Sequence, residues 1–247
     1  LAVGSTDGLT RLFDLNDPAR PTQLSEPLVS TPGELVTTAA FTPDGRILAT
    51  AGNDHDVRLW DVSVPSQPRP AGILRGHTDN IFKIAISPDG TRLASVGANH
   101  TVRVWNIADP AQPREEPPLL EQTESVGGVA WSSDSALLAT GSSDTTIALW
   151  DMTNPDGGRL VGTPITGHTD NIYAVSFGPP GVLASGGRDR VVRLWDLSVD
   201  RAISRICSST ADALTERAWD TVVSPDRSYD PPCPAFAEAG HTSNAWR

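Results

Sequence analysis

Several things are scarce in this sequence, and each shortage excludes something. No apolar stretch approaches the roughly 20 residues that a membrane-spanning helix needs, which excludes a helical membrane protein. No charged-then-apolar segment opens the chain, so no secretory signal is visible. Only two cysteines occur in 247 residues, Cys207 and Cys233, so the body of the chain folds without disulfides. His55, His77, His100, His168 and His241 never fall at metal-ligand spacing and neither cysteine sits in a CxxC, so no metal or other cofactor is expected. No GxGxxG links a strand to a helix and no GxxxxGK[ST] occurs, which removes the common nucleotide-binding loops. Basic side chains number 19 against 30 acidic ones, a net charge of −11, with Lys83 the only lysine. That balance speaks against nucleic acid and anionic membrane as partners. Met152 is the only methionine and position 1 is Leu1, so the sequence reads as a fragment of a longer chain.

What the chain has in plenty is repetition. Leu59-Trp60-Asp61, Val104-Trp105-Asn106, Leu149-Trp150-Asp151 and Leu194-Trp195-Asp196 place four tryptophans at a constant interval of 45 residues. A weaker copy, Leu12-Phe13-Asp14, precedes them. Within each period an apolar run such as Ile81–Ile86 leads to a turn signal, Ser87-Pro88-Asp89-Gly90. Leu93-Ala94-Ser95 comes next, then a polar turn, then Val102-Arg103-Val104-Trp105 in alternation. Short β-rich runs separated by turns, without a 3.6-residue period, predict strands throughout. A fourth strand is expected ahead of each unit, near Gly72–Leu74 and Leu160–Ile165. Proline-rich stretches recur at Asp17–Pro21, Pro65–Pro70 and Asp109–Pro113.

Two periods also carry Gly-His-Thr-Asp-Asn, at Gly76–Asn80 and Gly167–Asn171. With the Trp-Asp lattice, these residues resemble the WD40 repeat family over residues 1–198. The resemblance implies an all-β fold, a β-propeller of four-stranded blades. It is incomplete here: a partial blade over 1–32, then repeats at about 33–72, 73–118, 119–163 and 164–198. The resemblance puts the proline-rich loops between third and fourth strands, on the bottom face.

In the last repeat His168, Ser185, Asp189 and Trp195 occur in order, which invites a Ser-His-Asp hydrolase reading. The resemblance assigns them instead to a structural tetrad, and the recurrence agrees. His77, Ser95, Asn99 and Trp105 repeat the set with asparagine for aspartate. Thr50, Asp54 and Trp60 repeat it with Pro32 at the histidine position, as do Thr140, Asp144 and Trp150 with Gln122. A catalytic set is needed once, whereas a packing device is needed in every blade, so the chain is not expected to be an enzyme. Ser87–Thr91 is similar to the Asp-box turn of sialidase-like propellers, but the closing tryptophan is missing and a hairpin turn is the simpler reading.

The resemblance implies partner docking on the top face, on the loops before the first strand and after the second. The matching positions are Leu35, Asn80, Ser125 and Asn171, then Asn53, Ala98, Ser143 and Arg188, with Phe82 and Tyr173 as the aromatic candidates. Hot-spot composition favours Tyr173 and Arg188. The expected function is a cytoplasmic, non-catalytic protein-interaction scaffold or sensor module within a larger signalling protein. A sugar- or small-molecule-binding propeller is the alternative, and a propeller enzyme the remote one.

Residues 199–247 leave the repeat pattern. Val199, Ala202, Ile203 and Ile206 fit one helix face, and Thr215–Val223 a second short helix. Ser224–Phe236 is proline-rich, and Gly240–Arg247 is expected to be disordered. Ile206-Cys207, Leu214-Thr215, Trp219 and Tyr229–Cys233 look like a C-terminal extension of bacterial WD40 proteins, many of which carry an N-terminal STAND-type NTPase or helix-turn-helix module. Cys207 and Cys233 could pair or remain two thiols. The remaining blades of the full-length chain are expected as intramolecular partners.

Overall fold

The structure is a computed structural model that describes residues 1–117, 119, 122–154, 157–179 and 181–198. Both cysteines and both expected helices lie outside the described residues. The chain divides into two compact units. The larger holds Leu1–Gly178 and Leu183–Leu194; the smaller holds Pro179–Val182 and Trp195–Arg247. Within the smaller, the Leu197 N–H donates to the Gly181 carbonyl at 2.7 Å.

Every described element is a strand, and the strands form five antiparallel sheets in chain order. The first contains β1 (Ala2–Gly4), β2 (Leu9–Asp14), β3 (Thr22–Gln23) and β4 (Leu28–Val29), the last two both paired to β2. The second runs β5 (Val36–Phe41), β6 (Ile47–Gly52), β7 (Asp56–Asp61) and β8 (Arg69–Arg75). The third runs β9 (Ile81–Ile86), β10 (Arg92–Gly97), β11 (Val102–Asn106) and β12 (Arg114–Glu115). The fourth runs β13 (Val126–Trp131), β14 (Leu137–Ser142), β15 (Ile147–Asp151) and β16 (Arg159–Leu160). The fifth shows β17 (Ile172–Phe177), β18 (Val182–Gly187) and β19 (Val192–Asp196). Each expected fourth strand is the outer strand of the preceding sheet: β8 covers Gly72–Leu74, and Ile165 bridges back to Ile147 beyond β16. The proline-rich stretches follow β2, β7 and β11, the last two joining third to fourth strands at β7–β8 and β11–β12.

The hairpins between first and second strands repeat one mechanism. Thr42, Ser87 and Ser132 each donate a hydroxyl to the aspartate two residues on, Asp44, Asp89 and Asp134, at 2.6, 2.6 and 2.5 Å. The same carboxylates accept the backbone N–H of Arg46, Thr91 and Ala136. Gly45 and Gly90 then take φ of +71° and +75°, which glycine adopts without steric cost.

The sheets pack face to face, and one apolar cluster fills each of the first three interfaces. Leu59, Val57 and Ala51 of the second sheet meet Ile84, Leu93 and Trp105 of the third. Val102, Val104 and Val96 of the third meet Val129, Trp131, Leu138 and Trp150 of the fourth. Trp60, Trp105 and Trp150 therefore each lay a ring against the preceding sheet. First strands pack on first strands, β5 on β9, β9 on β13 and β13 on β17, which makes them the inner wall of an open propeller arc within the larger unit. In the fifth sheet the outward positions are bare: Val192 and Leu194 are 76% and 73% exposed, where Val57 and Val102 are 0%.

Candidate functional site

The buried polar chains sit where the strand register puts them. Leu48, Leu93 and Leu138 lie opposite Trp60, Trp105 and Trp150. Because side chains alternate, Thr50, Ser95 and Thr140 two residues on share the tryptophan's side. The indole N–H donates to each hydroxyl, at 2.9 Å for Trp60–Thr50, 3.0 Å for Trp105–Ser95 and 3.1 Å for Trp150–Thr140.

What sits above the hydroxyl differs from sheet to sheet. In the third, His77 spans Ser95 Oγ at 2.8 Å and Asn99 Oδ1 at 3.0 Å. In the fifth, His168 spans Ser185 Oγ and Asp189 Oδ2, both at 2.7 Å, while Trp195 belongs to the smaller unit. In the second, Pro32 makes neither contact. Ser30 lies 3.4 Å from Thr50, and Thr31 donates to Asp54 at 2.7 Å with Arg58 paired to both Asp54 and Thr31. These substitutes are invisible to a motif search for histidine, since three residues share its two bonds. In the fourth, Gln122 donates to the Thr140 carbonyl at 3.3 Å rather than to its hydroxyl, and its own Oε1 is buried without a partner. Asp144 there accepts only long bonds from Thr123, both at 3.4 Å, besides its own turn.

Burial pushes the His77 ring pKa down to about 4, the Asn99 hydrogen bond pulling the other way. For Asp189, burial acts upward, but bonds from the His168 ring and the Val191 and Thr169 N–H groups outweigh it and hold the carboxyl below its usual range. The bond order Asp189–His168–Ser185 is that of a hydrolase triad. Access separates the two: Ser185 is 3% exposed, and Ser95 is 0% and also carries the Trp105 indole. Both hydroxyls are thus closed off from solvent, and their printed bonds run within their own repeat. Among the described residues no cluster of three or more metal-ligating side chains occurs.

Within each sheet, the two loops marked for docking are tied together by one backbone bond. Asn53, Ala98, Ser143 and Arg188 donate their N–H to the carbonyls of Leu35, Asn80, Ser125 and Asn171, at 2.8 to 3.0 Å. At Gly97 an added methyl would lie 2.1 Å from the Asn80 carbonyl, so this close approach needs glycine. Two of the marked residues spend their side chains on stitching neighbouring sheets. With its amide oriented to satisfy both ends, Asn171 donates to the Ser143 carbonyl and accepts from Ser143 Oγ, each at 3.3 Å. Arg188 stands free of the surface and pairs loosely with Asp170 at 3.8 Å. Phe82 and Tyr173 hold a special place. Each is the extra residue of a β-bulge that recurs at Thr37 and Gly127 in the other sheets.

The comparisons agree with this geometry. The family model described as "WD domain, G-beta repeat" matches residues 25–61, 68–106, 118–151 and 158–196, more than half of the chain. The protein belongs to the WD40 repeat family, whose repeats generally mediate protein–protein interaction. A segment of 68 residues, 28% of the chain, is 35% identical to the COMPASS component SWD1 of Saccharomyces cerevisiae. The match spans 16% of that yeast protein.

Proposed function

We propose that the chain is a non-catalytic protein-interaction scaffold within a larger cytoplasmic regulatory protein, and that partners dock on the face carrying Phe82, Tyr173 and Arg188. One observation carries this reading. The polar chemistry of the repeats is buried in packing, while the recurrent bulge holds two aromatic rings out on the loop face at 41% and 53% exposure. Family membership and the yeast protein's title as a component of an assembly point the same way. Further blades of the parent chain are proposed to cover Val192 and Leu194. The resemblance of the tail to a bacterial extension supports an N-terminal regulatory module, and the matched relative is from yeast.

A photo-crosslinking side chain at position 82, against one at position 66 in a proline-rich loop, tests the reading in the full chain. Discrete protein adducts at 82, absent at 66 and lost with Tyr173→Ala, are expected. Saturable small-molecule binding with no protein adduct at 82 would favour the channel-ligand alternative and overturn the scaffold.

A further inference from the structure

We infer that the occupant of this face is a segment rich in arginine and lysine. The inference rests on the scaffold reading and adds the chemistry of the partner. It starts from Phe82. Its strand β9 is flanked on both sides by other sheets, so its 41% exposure does not come from the open end of the arc. A bulge turns its residue away from the pleat, and at this position the neighbouring sheets carry little. The Thr37 hydroxyl bends back to donate to the Ile81 carbonyl at 2.6 Å. Gly127 has no side chain, and a methyl there would lie 2.7 Å from the Ile172 carbonyl. Bulky residues stand only in the third and fifth sheets, as Phe82 and Tyr173. Aromatic rings held open in this way accept either apolar or cationic groups.

Charge chooses between the two. Three residues before each bulge position stands a carboxylate: Glu34, Asp79, Glu124 and Asp170. The recurrence holds in all four repeats. Asp79 and Asp170 each use one oxygen to accept the next backbone N–H, at 2.7 and 2.8 Å. Only Asp170 has a basic side chain within 4 Å among the described residues, the exposed Arg188. The turn aspartates Asp44, Asp89 and Asp134 differ, since each is consumed by its own hairpin. Glu34, Asp79 and Glu124 face solvent, while Asp170 is half-buried and keeps its loose pair with Arg188, in a chain of net charge −11. That pattern complements cations and repels acidic partners.

The test is fluorescence anisotropy on the full chain with three labelled 16-residue peptides: alternating Arg/Lys with Gly, the same with Gln, and the same with Glu. The basic peptide is expected to bind saturably and to weaken as salt rises. Glu34→Gln, Asp79→Asn, Glu124→Gln and Asp170→Asn together should weaken it at least tenfold and flatten the salt response. Phe82→Ala with Tyr173→Ala should weaken it by a similar factor at constant charge. The control removes four carboxylates elsewhere, with Asp14→Asn, Asp17→Asn, Glu26→Gln and Asp109→Asn, and should change affinity less than twofold. Equal losses in the two charge variants would mean diffuse attraction only and overturn the inference, as would tighter binding of the neutral or acidic peptide. Failure here leaves the crosslinking result standing, because that experiment does not depend on partner charge.

Discussion

At the scale of single residues, the hydrogen bonds of His77 have a consequence that pH can read. Its folded pKa, about 4, lies below the unfolded value of 6.5. The unfolded chain therefore takes up the proton first, and stability contributed by the neutral ring is full above 6.5 and lost as pH falls toward 4. The shift corresponds to on the order of 3 kcal/mol. Urea unfolding between pH 7 and 4 should show that decline, and His77→Gln should be less stable at pH 7 and flatter across the window. A second residue-scale expectation concerns the turn after each tetrad acid. His55, His100, Thr145 and Arg190 all take φ between 62° and 72°, where the first sheet uses Gly8 at 79°. A β-branched residue is costly there, so Thr145→Gly should raise the unfolding free energy by about 1 kcal/mol. The positive φ also gives His55 and His100 a plain role as turn residues. In the sequence they are only scattered histidines, because nothing local marks a left-handed position except glycine or asparagine.

At the scale of the element, the sheets show which features a repeat announces and which it hides. The Trp-Asp lattice and the Ser/Thr-Pro-Asp-Gly turns made strands and hairpins legible, because each rests on a fixed spacing, whereas the tetrads came only with the family resemblance. The histidine substitutes were not legible. In the second sheet two bonds are shared among Ser30 and Thr31, which follow β4, and Arg58 of β7, residues far apart in sequence. The bulge was hidden for a related reason, since Thr37, Phe82, Gly127 and Tyr173 share no chemistry and only register aligns them. The fourth sheet carries a defect that can be repaired. Gln122→His would reach both the Thr140 hydroxyl and Asp144, replacing an unpartnered buried oxygen. Such a repair is worth about 1–2 kcal/mol, and differential scanning calorimetry should show a higher melting temperature. An unchanged or lower value would mean that the fourth sheet holds the ring elsewhere.

At the scale of the whole molecule, burial separates the faces of the arc. The interior sheets hide the outward valines of their third strands, and the fifth exposes Val192 and Leu194. Paired apolar side chains bare on a strand invite association. The 247-residue chain should therefore self-associate on analytical ultracentrifugation, and Val192→Lys with Leu194→Lys should shift it toward monomer without lowering its melting temperature. The central claim is a division of labour: buried polar chains hold the blades, and the exposed bulge face meets partners. Melting temperature and basic-peptide affinity, measured together on His168→Gln and on Phe82→Ala/Tyr173→Ala, test it most directly. The first variant should lose several degrees and keep its affinity at a temperature where it remains folded, and the second should do the reverse. Lost affinity in folded His168→Gln, or a large melting loss in the aromatic variant, would contradict the account.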